Sequence, residues 1–254
     1  MSVTPQECRV TILVKALPQP SKTYGETVCC AGITPQGEWK RLFPIRFRHL
    51  SGNSSFKRWD WVNFRYTKPT RDTRPESCRV HEESIVVDGK LPRSDQADFL
   101  NPLVLPSINV AIEKKQSLAL IRPKNTRFTF KKKTPNAITA EREAFERAAR
   151  QTSLFDRELA TLTPTPYEFR FKFEDDSRHD FQNGDWEAHA MFYNGIKRGD
   201  SEQKVLDWMG HIFNEVYPQQ GMLFALGNQA KRPQVWQLLG VLRVDDSAQG
   251  SLPL

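Results

Sequence analysis

Between Trp39 and Arg74 the chain reads WKRLFPIRFRHLSGNSSFKRWDWVNFRYTKPTRDTR, and its charges are mostly of one sign. Ten basic side chains (Lys40, Arg41, Arg46, Arg48, Lys57, Arg58, Arg65, Lys68, Arg71, Arg74) face two acids, Asp60 and Asp72. Ten minus two gives a local +8, more than the +7 of all 254 residues. Eight aromatic rings are threaded among them: Trp39, Phe43, Phe47, Phe56, Trp59, Trp61, Phe64 and Tyr66. Cations neutralise phosphates and release their counterions, while rings and guanidinium planes stack on bases. Together these residue types supply the chemistry of a nucleic-acid contact, to DNA or RNA. The same alternation also describes an ordinary strand, with rings inward and Lys/Arg in water, and most of the rings are expected in a core. A merely solvated face, however, usually mixes both signs. The expected contacts are therefore Arg41, Arg46, Arg48, Lys57, Arg58, Arg65, Lys68, Arg71 and Arg74 on phosphates, with Trp59 or Phe47 stacking on a base. Lys131-Lys132-Lys133 and Lys231-Arg232 either extend this track or are simply solvated.

A second group is acidic: Glu174, Asp175, Asp176, His179, Asp180, Asp185, Glu187 and His189. Carboxylates with imidazoles can hold a hard divalent cation such as Mg or Mn for phosphodiester hydrolysis. The alternative function is thus a metal-dependent nuclease, with His179, Asp185 and Glu187 as its catalytic residues. A helix capped by Asp185 would put Asp185 and His189 on one face, whereas a strand would align Asp185, Glu187 and His189. The helix is expected, because Trp186, Ala190 and Tyr193 then form its buried stripe. Acids between two elements are more often a solvated turn, and capping is a sufficient role for Asp185, so the primary reading needs no cofactor and no metal. Cys8, Cys29, Cys30 and Cys78 include no Cys-x-x-Cys, and Cys78 with His81 lacks a second pair at zinc-finger spacing, so buried thiols are expected. Glycine-rich phosphate loops and Gly-x-Ser-x-Gly are missing from the sequence, which argues against an NTPase, a dinucleotide enzyme and an α/β-hydrolase.

The elements that must position these groups change character along the chain. Strands are expected at Cys8–Ala16, Thr27–Ile33, Glu38–Pro44, Trp59–Tyr66 and Arg79–Val87, the last entering a hairpin at Asp88-Gly89. Arg127–Lys133 also alternates, with Phe128 and Phe130 inward. Many short strands with frequent turn signals predict a small barrel, OB-like or similar, whose strand face and loops bind oligonucleotides. Ala140–Arg150 is a strong helix former with Glu143→Arg147 and Glu146→Arg150 in the favourable order. Tyr167–Phe173 alternates strictly, a helix runs from Ser201 towards Pro218, and Met222–Leu226 and Val235–Val244 read as central apolar strands. The predicted class is α+β: a basic β-rich barrel over 1–134, a helical linker over 135–163 and a smaller α/β domain over 164–254.

Charge divides the same way. Residues 1–138 carry 24 Lys/Arg and 12 Asp/Glu, a net of +12, and residues 139–254 carry 13 and 18, a net of −5. The basic half is expected to bind a polyanion and the acidic half to dock a protein partner or cap the site. A subunit of a larger assembly, its basic half on an acidic protein, is a further option. No apolar run approaches the ~18–20 residues that span a bilayer, and the N-terminus lacks the pattern of a secretory leader, so a cytoplasmic protein without a membrane partner is expected.

Several short segments carry a resemblance across most of the length: YGETVCCAGI, EWKRLFPIRFR, RPESCRV, SLALIRPK, YEFRFKF, GDWE and FALGN…VWQLLGV. In these the chain resembles a group of uncharacterised bacterial proteins, which implies a β-barrel-like first domain and no established activity. Similar proteins carry Cys and His just before the DWE segment. Here that place reads EDDSRHDFQNGDWE, with His179 and no Cys, which puts an inherited metal site in doubt.

Overall fold

The first six strands are β1 (Gln6–Lys15), β2 (Gln19–Ser21), β3 (Gly25–Ile33), β4 (Trp39–Ile45), β5 (Asp60–Thr67) and β6 (Ser77–Lys90), and β1, β3, β4, β5 and β6 carry apolar residues that turn into a core. The computed structural model describes residues 4–17, 19–21, 25–149 and 163–245. Hydrogen bonding runs β1-β5-β6-β4-β3-β2, and β1 also pairs with β3, so five of the strands return to their start. Only β4 with β6 is parallel among these five pairings. Val10, Ile12, Val28, Cys30, Leu42, Val62, Phe64 and Val80 pack together inside, joined by Phe56 from the connection between β4 and β5. Gly32 permits the closing pair. It faces Ile12 in the β1–β3 ladder, and a Cβ there would lie 2.4 Å from the Thr11 carbonyl oxygen and 2.9 Å from Val10 Cγ2. The turn expected at Asp88-Gly89 is absorbed into β6. Gly89 takes φ 87°, a conformation that glycine adopts without steric cost, and the strand continues to Lys90.

The chain continues through α1 (Arg93–Leu100), β7 (Val104–Leu105), α2 (Ile108–Glu113), β8 (Leu118–Ile121), β9 (Lys124–Lys132) and α3 (Pro135–Ala149). It closes with β10 (Tyr167–Glu174), β11 (Arg178–Gln182), α4 (Trp186–Lys197), α5 (Glu202–His211), a wider turn at Ile212–Val216, α6 (Tyr217–Gln220), β12 (Met222–Gln229) and β13 (Arg232–Arg243). The end of the linking helix expected at Arg150 and most of the linker, 151–162, lie outside the described residues. β9, expected to complete the first group of strands, pairs instead with β10, and β8 pairs with β12. The resulting sheets run β13-β12-β8-β7 and β11-β10-β9. β12 is central as expected. β13 is an edge strand, and its apolarity comes from layers packed against it: Leu238 belongs to one core cluster and Leu242 to another.

Three layers follow. Leu13, Val14, Ala31, Ile33 and Trp39 on the outside of the first sheet pack on Leu118, Leu120, Leu223, Ala225 and Leu242. The opposite face of that four-stranded sheet packs on the alternating rings of β10, on α4 and on α5. Phe171 is central there, with ring centroids 5.2 Å from Phe128 and 5.1 Å from Phe224. Beyond it, the Asn214 carboxamide clips onto the free edge of β9, accepting from Phe128 N at 2.7 Å and donating to Phe128 O at 3.4 Å. The architecture is a strand-rich α+β fold, and no helix among the described residues is long and apolar enough to cross a membrane. Gly32→Ala should push β1 from β3 and cost about 1–3 kcal/mol or more, read as a lower urea midpoint.

Candidate nucleic-acid interface

Several cations singled out by sequence point into the molecule. Arg58 Nη2 meets Asp185 Oδ1 at 2.7 Å, their side chains only 13% and 1% exposed. Arg58 Nη1 also donates to Val241 O at 3.0 Å. Asp185 caps α4 by accepting from Glu187 N at 3.0 Å on the same Oδ1, and its Oδ2 accepts from Val241 N at 2.9 Å. Lys15 Nζ lies 2.6 Å from Glu187 Oε1 and 5.0 Å above the Phe47 ring. Burial works against the Arg58 charge, yet Asp185 more than offsets it, so the guanidinium pKa is raised. Glu187 is likewise opposed by burial, and Lys15 with Arg58 holds it below the usual carboxylate range. Arg58, expected on a phosphate, instead turns inward to Asp185 and Val241 and joins the two halves of the molecule. Asp185 and Glu187 are committed to Arg58 and Lys15.

The remaining members of the acidic group are dispersed. His179 Nε2 lies 2.8 Å from Asp175 Oδ1, and Asp175 Oδ2 accepts the Ile108 N–H at 3.0 Å at the start of α2. His189 is buried under Phe169, its Nδ1 2.7 Å from Thr165 Oγ1 and its Nε2 3.3 Å from Asn183 O. Among the described residues no three His, Cys, Asp or Glu side chains are grouped to hold a metal ion. His179, Asp185 and Glu187 are thus not brought together: the first lies on Asp175, the second on Arg58 and the third on Lys15.

The stacking rings are also engaged. Phe47 packs edge-on to Phe56 and against Trp186, with centroids at 5.2 and 5.9 Å. Trp59 sits at φ 74°, half-buried against the core between the first and second sheets. Arg46 pairs with Glu82 at 2.8 Å, and Arg65 stands 4.0 Å from Glu83 on a surface of mixed sign. Lys57 is exposed, with its backbone N–H on Asp60 Oδ2 at 2.7 Å. The Arg48 side chain lies outside the described residues.

A second junction gathers the rest. Arg41, 3% exposed, donates from Nε to Ser117 Oγ at 3.0 Å and from Nη2 to the Ser117 carbonyl. Glu76 receives Ser117 N at 2.8 Å and Ser117 Oγ at 2.6 Å. Arg74 grips Asp72 through Nε at 2.8 Å and Nη2 at 2.6 Å, and donates from Nη1 to Asn228 O at 2.7 Å. Asn228 N in turn donates to Ser117 O at 3.0 Å. Burial opposes the Arg41 charge and lowers its pKa. Burial also opposes the Asp72 charge, but Arg74 and Ser77 hold that carboxyl down to about 2.

Three loops meet at this junction: 68–76 after β5, 114–117 after α2, and 228–232 between β12 and β13. Their inward side chains are locked together, and their exposed basic ones are Lys68, Arg71, Lys114, Lys115, Lys231 and Arg232. Lys68 Nζ donates to Pro75 O at 2.6 Å, which folds the first loop back on itself. Lys68, Arg71, Arg74 and the Lys231-Arg232 pair carried a signal in the sequence. Lys114 and Lys115 did not, because nothing local announces that a helix end will be bonded to a loop forty residues earlier.

Two outcomes follow. Arg58→Met should leave the Asp185 carboxylate buried without its partner and lower unfolding stability by about 3–5 kcal/mol, measured by denaturant titration. Burial pulls His189 down from 6.5 to about 4. Its unfolded state therefore binds the proton more readily, so stability is full above the unfolded pKa and is lost as pH falls from 6.5 towards 4. The loss should be on the order of 3 kcal/mol. A His189→Gln chain should show a flatter profile over that window.

No curated protein matches the chain. Residues 6–106 match a domain of unknown function, DUF8758, and residues 107–252 match another, DUF8757, the two meeting between β7 and α2. The second match covers more than half of the molecule and includes two of the three converging loops; the chain belongs to the family defined by the domain of unknown function DUF8757.

Proposed function

We propose that the chain is a nucleic-acid-binding protein that holds a phosphate backbone at the junction of these three loops. The observation that carries it is the division of labour there. Asp72 and Glu76 are spent on Arg74, Ser77 and Ser117, while six cations on the same loops face solvent. An exposed cluster of one sign is the electrostatic footprint of a polyanion site.

The strand pattern supports the reading. In chain order β1, β3, β4, β5 and β6 are the first to fifth strands of a ring that runs β1-β3-β4-β6-β5, with the third and fifth parallel. That connectivity is consistent with an OB-like barrel, in which the second and third strands and the loop between the fourth and fifth contact oligonucleotides. Here Ala31, Ile33 and Trp39 turn the second and third strands onto the other half of the molecule. The loop from the fourth to the fifth strand, residues 68–76, stays at the surface with Lys68 and Arg71 exposed. The second half packs on the first, and in this reading two of its loops complete the site.

The test is a salt titration of binding to labelled DNA and RNA. Replacing Arg71, Lys114, Lys231 and Arg232 together by alanine should weaken binding for all sequences. The log–log salt slope should fall by up to about 0.9 for each phosphate that is no longer neutralised. Unchanged affinity and slope in a chain that melts like the original would overturn the proposal.

A further inference from the structure

We infer that the nucleic acid held at the loop junction reaches a second contact on the outward face of the β11-β10-β9 sheet, so that the ligand is a polymer long enough to span both. The inference rests on the function proposed above and adds the length and course of its ligand.

The inner face of this sheet is buried through Phe128, Phe169, Phe171 and Phe173. Its outward face carries Lys124, Arg127 and Lys131 from β9, Glu168, Arg170, Lys172 and Glu174 from β10, and Arg178 and Asp180 from β11. Each acid on that face is held by a neighbour. Arg170 engages Glu168 at 2.6 Å and Asp180 at 2.8 Å, and Arg178 engages Glu174 at 3.1 Å. Arg127 and Lys172 stand directly opposite each other in one ladder, and the acid that faces Lys172 in the other, Asp180, is held by Arg170 at 2.8 Å. Like charges facing across a ladder destabilise a sheet. Phosphates would relieve that repulsion, and a strand edge needs only charge to discourage pairing, which Lys124, Lys131 and Lys132 already provide.

Helix α2 lies between the two basic surfaces. Its start is tied to the β10–β11 turn by Asp175 and by Asn109 to Asp176 at 3.0 Å, and its end leads into Lys114 and Lys115 at the loop junction. Asp176 and Glu113 are exposed along this stretch, so the surfaces are two contacts and not one unbroken stripe. The six residues of α2 add ~9 Å, and Lys124 to Lys131 adds ~23 Å along β9. At ~3.4 Å per nucleotide step, engaging both contacts takes about 9–10 base pairs.

The experiment compares a hairpin stem of about 4 base pairs, too short to pass from Lys115 along α2 to Arg127, with a duplex of about 20, in whichever of DNA or RNA the chain binds more tightly, by fluorescence anisotropy. Linking two contacts raises affinity only when one ligand can reach both. The original chain should bind the longer ligand at least about tenfold more tightly. Arg127→Ala with Lys172→Ala should remove that advantage, lower the salt slope by ~2 for the longer ligand, and leave the short stem unaffected. Its melting temperature should hold or rise, since it removes a repulsion. Equal affinity for both lengths, or a double variant that changes neither, would overturn the inference. If the loop variant still weakens both lengths in that case, the site at the junction stands; if the loop variant changes nothing, the parent proposal fails by itself.

Discussion

Arg58 and Asp185 meet where almost no water reaches, and the rest of the molecule is arranged to make that tolerable. A buried charge without a partner costs several kcal/mol, and even a paired one needs its remaining lone pairs satisfied. Asp185 meets the condition by accepting from Arg58, Glu187 N and Val241 N at once. One carboxylate therefore fixes three things together: the start of α4, the register of β13 against it, and the seat of the segment before β5.

The second junction applies the same rule with a different result. Arg41 and Arg74 are anchored by Ser117, Asn228 and Asp72, so three loops from distant parts of the chain share one position. Their backbones are fixed from below and their long cationic side chains are left to the solvent. An anionic ligand meeting such a surface would order side chains but few loops, which keeps the entropic cost of binding low.

Much of the fold was legible because periodicity is a local property. The strict alternation of Tyr167–Phe173 appears as β10 with its rings buried, and Asp185 and Ser201 cap α4 and α5 as their residue types require. Strand partners were not legible. β8 and β9 follow the first six strands closely in sequence, yet their ladders run to β12 and β10, and only long-range packing decides this. The basic stretch was read correctly as charge and incompletely as surface. Composition counts Arg41 and Arg58 with Lys68 and Arg71, whereas the structure sorts them by what they face. Arg41 and Arg58 point at groups more than seventy residues away, Ser117 and Asp185. No window around residues 39–74 contains those partners.

The Asn214 carboxamide on β9 has a bearing on how copies of this molecule behave beside one another. By filling a donor and an acceptor of Phe128 it imitates a neighbouring strand for one residue pair. A foreign strand seeking that border would first have to expel it. Crowded solutions of the protein should therefore resist fibrillar growth from this side, so that the cationic sheet remains a surface and does not become a seam between molecules.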